Sequence, residues 1–200
     1  MFKLVTDLNS INIDKGAYLY CDVETEALYS KIRLVQLYQS SWEEVVILDT
    51  RQVDLIDIYM LIKDAQVVWH NGHYDMSCFV VDLGSFARFE RWDDTFLAGR
   101  LALAHLESFS LDDMLTTVLR FDPYKKHGLV KSQMQKSKWS SPKLTEEQYK
   151  YAATDVYYMP KLWGCVIAKE KEFSYVLDKL TVNNMITFQQ FGLPVDRELS

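Results

Sequence analysis

The hydrophobic pattern of this chain changes period near residue 52, and that change restricts the fold more than any other feature. Before it lie three strand-like segments. Ala17–Val23 (AYLYCDV) is aromatic and β-prone, with Asp22 near its end. Lys31–Tyr38 (KIRLVQLY) alternates apolar and polar residues, as a half-buried strand does, and Glu44–Leu48 (EVVIL) supplies a third. Short connections make these an antiparallel meander. After the change, Leu55, Ile58, Tyr59 and Ile62 recur at i, i+3, i+4 and i+7, which predicts an amphipathic helix over about 52–63. Gln66–His70 (QVVWH) then reads as a short apolar strand, returned by the helical crossover to lie parallel to the first. Helical patterns follow over roughly 73–83, 93–105, 110–120, 146–170 and 174–191. The stretch 121–144 contains Pro123, Gly128 and Pro142 and reads as an extended, mobile connection; Pro160 should kink the helix of Asp155 or open a new one. The expected class is α/β: a mixed sheet with an antiparallel meander and parallel strands, flanked by helices.

Two hundred residues fit one domain with room for a short appendage. The net charge of −6 speaks against coating duplex nucleic acid by bulk electrostatics, but an acidic metal site needs cations rather than a basic exterior. Charge is unevenly spread. From Tyr124 to Thr145 there is no acid, while Lys125, Lys126, Lys131, Lys136, Lys138 and Lys143 all occur. Such a run is a solvated loop or a track for phosphates, and its position between two acidic motifs favours the track. Cys21, Cys78 and Cys165 form no close pair, as expected of reduced thiols in the cytosol. No apolar run approaches the roughly 20 residues of a membrane span, and the first residues lack a signal-peptide stretch, so a cytoplasmic protein without a membrane partner is expected.

Asp22-Val23-Glu24 puts two carboxylates two positions apart near a strand end, so both project from the same face of the sheet. Like charges held together are unfavourable unless a cation neutralises them. Asn71-Gly72-His73-Tyr74-Asp75 directly follows the second parallel strand, and ligands collect beyond the carboxyl ends of such strands. Asp75 alone reads equally as a first-turn helix acid. Tyr151 and Asp155 lie four apart in a helical segment opening at Thr145-Glu146-Glu147, so their side chains share one face.

Each element is weak by itself; together they make four carboxylates and a phenol. Hard oxygen donors without a Cys/His cluster fit Mg²⁺ or Mn²⁺ rather than zinc. Two such ions, about 4 Å apart, hydrolyse a phosphodiester by activating water and stabilising the leaving oxygen. A phenol with a pKa near 10 is a poor base at neutral pH, so Tyr151 is better suited to orienting the attacking water. His70 and His73 lack a third nitrogen or sulfur ligand and read as structural or substrate-proximal; His105 and His127 carry no pattern. No Gly-rich phosphate loop or nucleophilic Ser or Cys signature is present.

The order Asp-x-Glu, Asn-x-x-Tyr-Asp, Tyr-x-x-x-Asp resembles the three motifs of the DEDD superfamily of 3′–5′ exonucleases. Tyr151 places the likeness in the tyrosine-bearing branch, since the histidine-bearing branch would want His where Lys150 stands. Lys31–Leu37, Asp94-Thr95, Ser110–Leu115 and Lys131-Ser132-Gln133 through Trp139 extend it across about residues 15–170. The resemblance implies a ribonuclease-H-like fold, a catalytic set of Asp22, Glu24, Asp75, Tyr151 and Asp155, and two divalent cations. It further implies that Asp22, Glu24 and Asp155 hold the tighter cation, that Asp22 bridges to the second, and that Asp75 holds the second partly through water. Thr25 and Asn71 match positions near the terminal nucleotide. Leu28 matches the residue that wedges against the last base, or is a loop leucine folded onto the core. Lys131 joins them as a substrate-binding lysine of the basic run. Such a site takes single-stranded 3′ ends.

Biological role is less constrained. Asp155–Pro160 through Trp163 resembles ribonuclease D and Werner-type exonucleases, which would act on RNA or in repair. Asn184-Met185-Ile186 through Phe191-Gly192-Leu193-Pro194-Val195-Asp196 resembles the segment between the proofreading domain and the thumb of family A DNA polymerases. The favoured expectation is a proofreading exonuclease on single-stranded DNA, in a bacterial or phage-infected cell, with a polymerase module in cis or trans. On that basis residues 1–175 form the exonuclease domain and 176–200 a C-terminal helix and linker. A catalytically dead binding scaffold is the alternative from another class, and the presence of all five active-site residues argues against it.

Overall fold

A computed structural model describes residues 1–28 and 30–191 of the chain, the side chains of Gln190 and Phe191 excepted. The strands are β1 (Phe2–Leu4), β2 (Tyr18–Thr25), β3 (Ile32–Tyr38), β4 (Val45–Asp49), β5 (Gln66–Trp69) and β6 (Trp92–Asp94). They form one sheet in the order β1-β4-β3-β2-β5-β6. The meander β2-β3-β4 is antiparallel, and β5 lies parallel to β2, as the helical crossover requires. β1 and β6 extend the two edges in parallel with β4 and β5. Three residues each, they are too short to show a period, and the sequence pattern did not anticipate them.

Helix α1 (Leu55–Ile62) makes the crossover and buries the four residues of its apolar stripe. Helix α2 (His73–Leu83) leaves the end of β5 and packs on β2 and β3, while α7 (Glu146–Tyr157) packs on β2, β3 and β4. Covering by helices changes the expected character of β3. Its alternation predicts one wet face, yet all seven of its residues are buried. Arg33, 2% exposed, meets this by pairing with Asp49 (Nη2···Oδ2 2.9 Å). β2 is also longer than expected, so Asp22 lies inside the strand, and an irregularity in pairing follows Glu24.

Helices α3 (Thr95–Ala102) and α4 (Leu111–Leu119) follow. The helix expected from 93 begins at Thr95, because Asp93 and Asp94 belong to β6 and Asp94 caps α3. The region expected to be extended holds two short helices, α5 (Pro123–Lys126) and α6 (Lys131–Met134). It is anchored by the buried Tyr124, Leu129, Trp139 and Leu144. The helix expected over 146–170 is interrupted: α7 ends at Tyr157 and α8 (Met159–Val166) opens with Pro160 in its first turn, where a missing N–H costs nothing. A 3₁₀ turn at Ile167–Lys169 leads to α9 (Phe173–Phe191). Helix α9 packs on α2 and α3, held by the Tyr175 hydroxyl, which donates to Asp93 and accepts from the Asp94 N–H, both at 2.9 Å. The Gly192–Asp196 part of the polymerase-like tail lies outside the described residues. Among the described residues no helix is long and apolar enough to cross a membrane.

Candidate active site

Three elements bring the acidic residues together. β2 projects Asp22 and Glu24 from one face, and α7 delivers Asp155 from above. Ala152 and Ala153 are fully buried, and their small side chains let α7 approach the sheet closely. Ligand oxygens of Asp22, Glu24 and Asp155 lie within 4.8 Å of one another. Tyr151, one helical turn before Asp155, is also buried, and both line a cleft of about 360 Å³ with Asp22, His70, Asn71 and Lys131.

Asp75 is buried beside this group, but it does not join the three-oxygen cluster. Its Oδ1 accepts a 3.0 Å hydrogen bond from the Val23 N–H, between the two β2 carboxylates. The turn that aims Asp75 is tightly specified. Asn71 adopts φ 59°, and the Asp94 carboxylate accepts from the N–H groups of Asn71 (3.0 Å) and Gly72 (2.8 Å). A Cβ on Gly72 would stand 2.5 Å from the Trp69 Cβ, so only glycine fits.

The electrostatics call for cations. Burial, and then the neighbouring carboxylates Asp75, Asp155 and Glu24, hold the Asp22 carboxyl well above its usual range. Glu24 is raised likewise by burial, Asp155 and Asp75. Burial takes Asp75 up to about 8, against the relief of the Val23 N–H, and takes Asp155 up to about 7, against hydrogen bonds from Tyr124 and Tyr151 and the charge of Lys131. Buried carboxyls that raise one another in this way resist ionising together unless a cation joins them, and a site offered by oxygen alone fits hard divalent cations. His70 is held down to about 3 by burial and then Lys131, with Nδ1 2.9 Å from the Thr95 hydroxyl, so it is neutral at pH 7; among the described residues the ligand cluster contains carboxylates alone.

Of the remaining expected residues, Asn71 and Lys131 line the cleft, and Thr25 and Leu28 are not among its lining residues. Asn71 is exposed on its wall, and Lys131 lines it while ion-paired to Asp112. The Thr25 hydroxyl meets the Tyr74 phenol at 2.6 Å. Leu28, in the loop after β2, is 78% exposed, so it is not folded onto the core. One important neighbour escaped the sequence reading. The Tyr124 phenol donates a 2.5 Å hydrogen bond to Asp155 Oδ1. Its signal was Asp122-Pro123, since the Asp122 carboxylate accepts from the N–H groups of Tyr124 and Lys125 as a helix cap, with proline in the first turn.

Residues 3–165 match the family described as 3′–5′ exonuclease. The chain belongs to that family. This exonuclease is 28% identical over 154 residues to DNA polymerase I of Aquifex aeolicus (strain VF5), covering 76% of this chain and 24% of the polymerase. It therefore spans about a quarter of the length of that curated relative. Its fold is similar to Escherichia coli RNase D, an exoribonuclease involved in structured RNA processing, with TM-score 0.71 and 17% identity over 98% of this chain and 52% of that one. It is also similar to Brucella melitensis NrnC with bound Mg²⁺, with TM-score 0.65 and 15% identity over 94% of this chain and 88% of that one. At these identities the structural likeness speaks to the ribonuclease-H-like fold alone.

Proposed function

We propose that this exonuclease removes nucleoside monophosphates from the 3′ end of single-stranded DNA using two Mg²⁺ (or Mn²⁺) ions, as a proofreading activity. The observation that carries the chemistry is the three-oxygen cluster of Asp22, Glu24 and Asp155, two of whose members, Asp22 and Asp155, line the cleft together with Tyr151. Asp22, Glu24 and Asp155 would hold one cation, with Asp22 and Asp75 serving the second. Bound there, the cations supply Lewis acidity to the attacking water and the leaving oxygen.

The protein groups have complementary roles. Burial and the nearby Asp155 raise the Tyr151 pKa far above the working range, so its phenol stays protonated and orients water by hydrogen bonding. Neutral His70 and exposed Asn71 border the cleft without adding charge. Leu28 offers an exposed apolar surface for the last base, Thr25 closes β2 just before it in the chain, and Lys131 offers a cation to the strand's phosphates.

The DNA polymerase I relative supports DNA as substrate. In this reading residues 1–175, which contain the 3–165 family match, are the proofreading unit, and 176–200 lead toward a polymerase module in cis or trans. A second reading, an RNA exonuclease of the ribonuclease D kind, is supported by likeness of fold. Competition between 5′-labelled DNA and RNA strands of one sequence tests the choice. The proposal expects DNA to have the higher kcat/KM; faster RNA shortening would overturn proofreading and leave exonuclease chemistry standing.

A further inference from the structure

The exonuclease reading leaves Tyr124 without a role, although it is 2% exposed and touches the proposed centre. Its ring lies 5.7 Å from that of Tyr151, and Lys131 Nζ sits 5.3 Å from its centroid. Lys131 is in turn fixed by Asp112, and the Asp122 cap holds the Tyr124 backbone at 2.9 Å. The phenol is thus clamped from several sides while it donates to Asp155 Oδ1 at 2.5 Å. A short hydrogen bond from a hydroxyl to a carboxylate is among the stronger polar contacts, and burial removes water as a substitute partner.

We propose that Tyr124 is a positioning residue that makes Asp155 a one-oxygen ligand and so biases the site toward small octahedral cations over calcium. The proposal rests on the acidic cluster being the cation site. With Oδ1 already accepting from Tyr124, binding a cation through both Asp155 oxygens would compete with that hydrogen bond, whereas binding through one oxygen would not. Mg²⁺ accepts few protein oxygens in strict geometry, whereas Ca²⁺ takes six to eight and often both oxygens of one carboxylate. Removing the phenolic hydroxyl therefore weakens preorganisation for Mg²⁺ and frees an oxygen that Ca²⁺ can use.

Calorimetric titration of the full chain with MgCl₂ and CaCl₂, without nucleic acid, tests this. Magnesium binding should vanish in Asp22→Ala; binding that persists would overturn the site assignment and this proposal with it. Given that loss, Tyr124→Phe should lower the ratio of Mg²⁺ to Ca²⁺ affinity by about tenfold, the effect expected for a hydrogen bond to a charged group. In an Asp155→Asn background the same substitution should leave the ratio unchanged. Equal weakening for both cations, or an unchanged ratio, overturns the proposal. Should Tyr124→Phe be unfolded at the assay temperature, a ring-fluorinated tyrosine at position 124 serves instead. As a stronger donor of the same shape it should raise the ratio, and an unchanged or lower ratio again overturns it.

Discussion

The Val23 N–H donates to the Asp75 carboxylate at 3.0 Å, joining the strand of Asp22 and Glu24 to the first turn of α2. Asp75 therefore has a structural part that its charge does not require. Asp75→Asn keeps an acceptor for Val23, whereas Asp75→Ala leaves a buried donor unsatisfied. Urea unfolding of the metal-free proteins should show Asp75→Ala less stable than Asp75→Asn by about 1–3 kcal/mol. Both should lose exonuclease activity. Equal stability of the two variants would remove the anchoring role.

The site also sets a pH dependence. Carboxyls raised in the folded state stabilise it fully below their unfolded values near pH 4, and that stability is lost as pH rises through the folded values. These are about 7 for Asp155 and about 8 for Asp75, with Asp22 and Glu24 raised as well. In EDTA the melting temperature should therefore fall between pH 5 and pH 8, and stabilisation by added Mg²⁺ should grow over the same interval. A melting temperature that rises with pH in EDTA would contradict this electrostatic account.

Arg33 and Asp49 form a buried pair at 2.9 Å, away from the cleft. Removing one partner strands a charge, so Arg33→Met should cost about 3–5 kcal/mol in denaturant unfolding. Arg33→Met with Asp49→Leu should recover much of it. A double variant no more stable than Arg33→Met would show that packing, rather than the stranded charge, dominates.

Gly72 is required by close approach to Trp69 rather than by unusual dihedral angles. Gly72→Ala should destabilise the protein by about 1–3 kcal/mol through overpacking and weaken Mg²⁺ binding, because the start of α2 aims Asp75. Thermal melts with and without Mg²⁺ check both effects; wild-type metal stabilisation in Gly72→Ala would uncouple that turn from the site.

Alternation and helical spacing disclosed β2 to β5 and α1, because each buries a defined stripe. The full burial of β3 was hidden, since its polar positions Arg33 and Gln36 are enclosed only after helices cover the sheet. Asp22, Glu24 and Asp155 were visible as residues, and α7 supplied their convergence. The link from Asp75 to Val23 spans 52 positions and has no local pattern. Tyr124 was overlooked because lysines and prolines around it read as a mobile connection, although Asp122-Pro123 marked a helix start.

In the proposed mechanism Asp22, Glu24 and Asp155 form a cation-dependent exonuclease centre. Digestion of a 5′-labelled single strand with Mg²⁺, comparing wild type, Asp22→Ala and Tyr151→Phe, tests it most directly. Wild type should give a ladder shortening from the 3′ end, Asp22→Ala should lose several orders of magnitude in rate, and Tyr151→Phe should lose less because the carboxylates persist. An intact oligonucleotide with folded wild-type protein, or a ladder undiminished in Asp22→Ala, would contradict the account.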